Sequence, residues 1–318
     1  MPVDVAIIGA GPAGCAAAVQ CRRLGLSVAL IDRTGQAGGL VGNAWSIENE
    51  PSTGGAIDGP EYVVRMQRAL SRLSIPVVSG TVESIASHYE LRGQLPPLAV
   101  PAVIIATGTG PRPAGFAGEA ALAGNVLHYE VAPVLAVGAT SALVVGGGEA
   151  AFDYALSLAR AGTEVTIAMR GTRHRANDRL AAAVAANPLI TVAPETAIAE
   201  VVAVDGGGRA SGHSAGSPFE LVTRVIVVAV GRTPVLPKLD DALVPTLRRD
   251  GGAGASEGAP TSPQGLWATK EKLTIAPGLY IAGDVRLGAL GQSGIAVGDG
   301  LEAAQLAAAY IADLRENR

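Results

Sequence analysis

Val3-Asp4-Val5-Ala6-Ile7-Ile8 runs directly into Gly9-Ala10-Gly11-Pro12-Ala13-Gly14. A short apolar, β-branched run that stops at a glycine turn and continues into the alanine-rich stretch Cys15–Leu24 reads as strand, tight turn and helix. Gly25 ends the helix, Ser27–Ile31 forms the next strand, and Asp32 stands at its carboxyl end. The whole is one βαβ unit of about 30 residues. In such a unit Gly9 permits the turn, Gly11 lets a pyrophosphate approach the backbone, and Gly14 lets helix and strand pack closely. The helix N-terminus then faces the phosphates. Asp32, about 20 residues on, is placed to bind ribose hydroxyls.

The same grammar returns later in the chain. Ala142–Val145 is a strand, Gly146-Gly147-Gly148-Glu149-Ala150-Ala151 a turn, Phe152–Arg160 a helix closed by Gly162, and Glu164–Ala168 a strand. Two dinucleotide-type units suit the length: 318 residues, at roughly 100–200 per domain, predict about two domains. Three more apolar strands end in glycine turns: Ala102–Ala106 before Thr107-Gly108, Arg224–Val230 before Gly231, and Leu279–Ala282 before Gly283-Asp284. A helix is predicted from about Asp299 to Arg315. Asp250–Pro263 and the shorter His213–Pro218 read as mobile surface loops. Natural boundaries fall at Pro111–Gly115 and Pro234–Lys238. The fold class is therefore α/β, with two Rossmann-like three-layer dinucleotide-binding domains, the second inserted in the first. Residues 1–112 and 236–318 would build one, and 113–235 the other.

Composition excludes several classes. Hydrophobic residues make up 48% and charged residues 16%, against about 25% charged in an ordinary globular chain, so this is not a disordered protein. The net charge of −4 gives no basic excess for nucleic acid. Two cysteines cannot make a disulfide framework or a four-ligand zinc site, and the four histidines show no metal-ligand spacing, so no metal is expected. The opening apolar run lacks a basic flank and breaks at Gly9, unlike a signal peptide. No stretch is apolar enough to span a bilayer. A cytoplasmic location is the expectation.

The second glycine motif lacks the acidic partner of the first. Its strand ends in Met169-Arg170, followed by Arg173, His174 and Arg175. Guanidinium groups there suit an adenosine phosphate better than a bare ribose. The other reading is a solvated basic face with no dinucleotide.

The order of GAGPAG, Asp32, Gly38-Gly39, Ile47-Glu48-Asn49, Ala106-Thr107-Gly108, GGGEAA, Ala229-Val230-Gly231-Arg232 and Ala282-Gly283-Asp284 resembles low-molecular-weight thioredoxin reductase over essentially the whole chain. The resemblance implies a homodimer with an FAD domain built from both termini and an NAD(P)H domain in the middle, which rotate against each other between half-reactions. It implies FAD contacts from Gly9, Gly11, Pro12, Ala13 and Gly14 at the turn, and from Asp32 and Arg33 beyond it. Gly39, Leu40 and Asn49 would line the flavin, with Val82, Ala106, Thr107 and Gly108 nearby. Gly283 and Asp284 would take the ribitol, and Gln292 and Ser293 the isoalloxazine edge. Gly146, Gly148, Glu149, Ala150, Arg170, Arg175 and Gly231 would form the second dinucleotide site.

Departures from the family pattern redirect the chemistry. Its Cys-x-x-Cys pair lies just before the second glycine motif, and counting back from Gly146 those places hold Tyr129 and Ala132. In this the chain resembles the ferredoxin/flavodoxin–NADP reductases of thioredoxin-reductase type. Of the three arginines that hold the 2′-phosphate, Arg170 and Arg175 fill the first and third places, but the second is Gly171. The arginine before the flavin-contacting glutamine is Gly291, and the usual Gly-Gly-Gln reads Gly38-Gly39-Leu40. No tail of the ferredoxin-reductase kind is expected after Arg315. Thioredoxin reduction by NADPH is not expected.

The two cysteines, Cys15 and Cys21, both fall on the first helix. Six helical residues separate their Cα atoms by ~9 Å of rise, beyond the roughly 7 Å a disulfide tolerates, so they read as small core hydrophobes. The alternative is a catalytic redox pair on an unwound helix. The chain then resembles the diflavin-linked disulfide oxidoreductases, with a second FAD where NADP(H) would sit. Tyr129 is placed either to cover a flavin face by stacking or to pack in an ordinary core or interface, and Trp45 likewise. Three functions follow: an FAD enzyme using NADP(H), the diflavin enzyme exchanging thiols at Cys15 and Cys21, or a non-catalytic flavin-binding redox sensor. The partner would be a redox protein or a small disulfide.

Overall fold

The computed structural model describes residues 2–243, 273–288 and 291–317; the Asp250–Pro263 loop lies outside them. Val5–Ile8 pairs in parallel with Val28–Asp32 on one side and Ala102–Ile105 on the other. Val77–Ser79 extends this sheet at one end, while Leu279–Ile281 and the antiparallel edge strand Thr274–Ala276 complete the other. The two central strands are buried at every position, as expected for parallel strands covered on both faces. Strand alternation divides the cover. Val5, Ile7, Leu30 and Ile104 face the first helix (Pro12–Arg23) and the carboxy-terminal helix (Ser293–Glu316). Ala6, Ile8, Val103 and Ile105 face Ile85 and Leu91 of a small second sheet, formed by Val82–Ala86, Glu90–Gly93, Leu98–Ala99 and Lys238–Leu239.

The strands of the second layered unit all lie between residues 127 and 228. Its parallel sheet runs in the order Ile190–Ala193, Glu164–Ala168, Ser141–Val145, Val225–Val228, Leu127–His128. Helices Val131–Val137, Glu149–Arg160 and Asp178–Ala185 cover one face around Phe152. An antiparallel sheet of Thr196–Val204, Gly207–Ser214 and Ser217–Thr223 covers the other. Both crossovers between the units run side by side as a two-stranded ribbon, Thr109–Pro111 against Arg232–Pro234.

Two local expectations are corrected. His213–Pro218 is no loose loop but the tip of a β-hairpin, with Ser214 facing Ser217 across Ala215 and Gly216, both at positive φ. That is the two-residue turn whose twist matches its strands. The carboxy-terminal helix begins at Ser293, not near Asp299. Its glycines look like breakers, but Gly300 meets the first helix so closely that a Cβ would run into the Ala13 carbonyl oxygen. Ala303, Ala304 and Ala307 continue the same buried face. Among the described residues no helix is long and apolar enough to cross a membrane.

Candidate functional site

The first glycine turn divides its labour as the residue types demand. Gly9 sits at φ +102°, a left-handed conformation that L side chains rarely adopt. A Cβ on Gly14 would strike the Gly9 carbonyl oxygen, whereas one on Gly11 would meet nothing within 4 Å. The turn is therefore closed beneath Gly14 and open in front of Gly11. Asp32 is already part of its frame: Oδ2 accepts the Ala10 amide at 3.0 Å, and Oδ1 accepts the Thr34 amide and hydroxyl at 2.9 and 2.7 Å. Arg33 is exposed beyond it. Gly38 donates its amide to the Ala10 carbonyl at 2.9 Å, which lays Gly39 and Leu40 against the turn.

The carboxyl-terminal segment reaches the same place. Gly283 packs on Ala13 and donates its amide to Asp299 at 2.9 Å. Asp299 is held by the buried guanidinium of Arg286 at 2.8 Å, a pair the sequence reading missed because neither residue lies in a motif. Asp284 follows, its carboxyl pushed up by burial and by Asp299 while Arg232 opposes the shift. Gly291 lies so close to Asp284 Oδ1 that any side chain there would displace the carboxylate. Asn49 Nδ2 donates to Gln292 Oε1 at 2.9 Å, joining two predicted flavin residues 243 positions apart. Ser293 opens the long helix just beyond. Ala106 is buried at the end of its strand, and the Thr107 hydroxyl donates to the Val235 carbonyl, tying one crossover to the other. Val82 has its side chain in the core between the two sheets of the first unit.

The second turn repeats the first. Gly146 abuts the Ala229 carbonyl, while a Cβ on Gly148 would meet open space. Glu149 and Ala150 begin the helix behind it, and Glu149 accepts from Asn177 at 3.1 Å. The basic loop folds back on this turn, with the Arg175 amide on the Gly147 carbonyl at 2.7 Å and the His174 ring 5.0 Å from that of Phe152. Arg170, Arg173 and Arg175 are exposed, and none pairs with a described carboxylate. Gly231 sits against the Arg112 guanidinium. Between the two units lies a cleft of about 390 Å³, with Leu40, Asn43 and Asn49 on one wall and Glu149, Ala150 and Asp153 on the other.

Residues 3–309 match the family model of the pyridine nucleotide-disulphide oxidoreductases. The chain belongs to this family. It is 30% identical to the thioredoxin reductase of Listeria monocytogenes over 99% of this chain and 95% of that one. It is 28% identical to the Bacillus subtilis thioredoxin reductase over 98% and 96%. Among solved structures, Lactococcus lactis thioredoxin reductase in its FR conformation superposes with a TM-score of 0.81 at 28% identity, covering 98% and 99% of the two chains. The thioredoxin reductase of T. acidophilum gives 0.79 at 25%, covering 98% of each chain. The protein is thus a thioredoxin reductase-like, flavin-dependent oxidoreductase of two Rossmann-like units.

Within this oxidoreductase the cysteines are free and buried on a regular helix. The Cys15 thiol donates to the Ala10 carbonyl at 3.2 Å. Burial pushes both thiols up to about 12, with Asp32 adding to the effect at Cys15 and Asp4 at Cys21. A thiol so shifted carries almost no thiolate at neutral pH. Tyr129 does not turn its hydroxyl to the first unit; it donates to Glu119 at 2.9 Å, a buried carboxylate that also accepts the Ala114 and Gly115 amides of the crossover. The residue that reaches across is its neighbour Glu130, which accepts from Asn43 at 2.7 Å. Trp45 packs on the core of the inserted unit.

Proposed function

We propose that this oxidoreductase binds FAD at its first glycine turn and NADP(H) at its second, and delivers electrons to an acceptor without a dithiol of its own. One observation carries the reading: residues of both sites, Leu40 and Asn49 from one and Glu149 and Ala150 from the other, line a single cleft. The open space before Gly11 and before Gly148 is what a pyrophosphate needs at each turn. When bound, the nicotinamide and flavin supply the hydride chemistry themselves; the protein supplies orientation and electrostatics.

The chain's share is assigned as follows. The N-terminus of the Pro12–Arg23 helix faces the FAD pyrophosphate, and Asp32 holds the turn rigid while its exposed edge meets the ribose. Asp284, its carboxyl raised by burial, exchanges hydrogen bonds with ribitol hydroxyls. Asn49 and Gln292 brace each other at the flavin edge, and the amides opening the Ser293–Glu316 helix favour negative charge there. In the inserted unit, Arg170 and Arg175 take the 2′-phosphate. The acceptor is a redox protein or a small disulfide, and a cytoplasmic homodimer belongs to the same reading.

Gly171 favours one competing occupant of the second site. FAD has no 2′-phosphate and loses nothing by the missing guanidinium. Two measurements decide. Flavin released by heat should amount to one per chain, and NADPH mixed rapidly with the yellow protein should bleach its flavin, whereas a yellow Gly148→Val variant should not bleach. Two flavins per chain with no bleaching would overturn the reading.

A further inference from the structure

Polar contacts between the two units concentrate on two residues of the first, Asn43 and Trp45. Asn43 ends the turn Gly39–Asn43 and is 8% exposed. Its Nδ2 donates to Glu130 Oε2 at 2.7 Å, and its Oδ1 accepts the Ala132 amide at 3.1 Å. Ala132 lies in the first turn of helix Val131–Val137, whose own N-cap residue, Glu130, makes no side-chain cap. Helix N-terminal amides need an acceptor, and here the acceptor comes from the other unit.

Glu130 is anchored in turn. Oε2 also accepts the Tyr154 hydroxyl at 2.9 Å, and Oε1 accepts Arg232 at 2.6 Å. Arg232 reaches back across the crossover ribbon to the Thr109 carbonyl and hydroxyl at 2.7 and 2.9 Å. Asn43 is therefore pinned to a carboxylate that both crossovers hold. Two residues on, Trp45 is gripped at each end of its peptide unit. Its amide donates to both oxygens of Asp153, at 2.9 and 3.1 Å, and its carbonyl accepts Arg160 at 3.2 Å. The same guanidinium lies 5.3 Å from the Trp45 ring centroid, within cation–π range.

We propose that Asn43 and Trp45 are positioning residues forming a two-point latch, which holds the inserted unit in this one orientation through both half-reactions. The inference rests on the two-site reading above, for only then does turnover join the units. It departs from the domain rotation that the sequence resemblance implies. Rotation would separate Asn43 from the helix it caps and Trp45 from Asp153 together, leaving a buried amide group and two carboxylates without those partners. A relay dithiol is what would need moving between flavin and partner, and the positions that would carry it hold Tyr129 and Ala132. With the units latched, the acceptor meets the reduced flavin directly.

The test places one spin label in each unit, at Arg68→Cys and Glu220→Cys, both exposed; the native cysteines are buried and stay unlabelled. Double electron–electron resonance is recorded on the yellow protein as purified, after dithionite, and with excess NADPH. One interdomain distance, unchanged across all three states, is expected. Asn43→Ala or, separately, the near-isosteric Glu130→Gln should add a second distance population. A second population in the unmutated latch in any state overturns the proposal, as does an unchanged single distance in both variants. Because dithionite needs no dinucleotide, the distances remain decisive even where NADPH fails to bleach the flavin.

Discussion

The backbone amide of Trp45 is shared by both carboxylate oxygens of Asp153, at 2.9 and 3.1 Å. The charged groups acting on that carboxylate are Arg160 and Glu149 of its own helix, and Arg160 also pairs with Asp58 of the facing unit at 3.7 Å. Burial outweighs the Trp45 amide and Arg160, so the Asp153 carboxyl is pushed up to about 6, with Glu149 adding to the rise. An acid raised in the folded state binds its proton more tightly there than when unfolded. Its stabilising share is complete below about pH 4 and is lost as pH climbs through about 6. A rise of about two pKa units corresponds to at most ~3 kcal/mol. Asp153→Asn should remove that slope: urea unfolding at pH 4.5, 6 and 7.5 should show the wild type losing stability upward relative to the variant. Parallel profiles would refute the assignment.

Gly11 and Gly14 should fail differently when mutated. Gly11→Val meets only the space a pyrophosphate would occupy, so the protein should fold, retain its Tm within a few degrees in the absence of cofactor, and purify colourless. Gly14→Val drives a side chain into the Gly9 carbonyl and should destabilise the fold by several kcal/mol, roughly the scale of an overpacked core or more. Flavin absorbance and circular dichroism of the two variants check both halves. A yellow, fully loaded Gly11→Val protein would remove FAD from this turn.

Cys15→Ala with Cys21→Ala should leave NADPH-dependent flavin bleaching within about twofold of wild type, since neither thiol ionises readily. Thioredoxin should remain a poor acceptor before and after the change. Loss of acceptor turnover in the double variant, with bleaching intact, would return the pair to the redox path.

Arg170→Ala and Arg175→Ala should each raise KM for NADPH by about 10- to 100-fold with kcat little changed. A charge-assisted hydrogen bond is worth roughly 1.5–3 kcal/mol, and ~1.4 kcal/mol is one decade. NADH kinetics should not move. Equal losses for both nucleotides would mean the arginines shape the turn rather than bind a phosphate.

Both βαβ units were legible because backbone geometry restricts the residue: Gly9, Gly14 and Gly146 stand where a side chain would strike a carbonyl or strain the turn. The division of the fully buried Val5–Ile8 between the two faces of its sheet follows just as directly from strand pleating. The latch left no such trace. Asn43 and Glu130 are 87 residues apart and Trp45 and Asp153 are 108 apart, and a polar residue in a turn has no periodicity to betray its partner. The hydroxyl partner of Tyr129 was hidden for the same reason. Its position in the pattern suggested the flavin, while its hydroxyl found Glu119, ten residues away. Helix Ser293–Glu316 was read short because Gly294, Gly298 and Gly300 look like breakers, and the contact of Gly300 with Ala13 is revealed only by the tertiary arrangement.

The first sheet is opened by Val5–Ile8 and completed by Leu279–Ile281, and the first helix is covered by Ala303, Ala304 and Ala307 near the far end of the chain. During synthesis, then, the amino-terminal third emerges with its phosphate-binding helix uncovered and must wait. The inserted unit, all of whose strands lie between 127 and 228, is released with its own sheet complete. Its folding brings the crossover strands Thr109–Pro111 and Arg232–Pro234 together, closing a loop of more than a hundred residues before the outer unit has to search for its missing strand. Flavin capture is then expected to come last, and a ribosome-bound chain lacking only its final helix should emerge without colour.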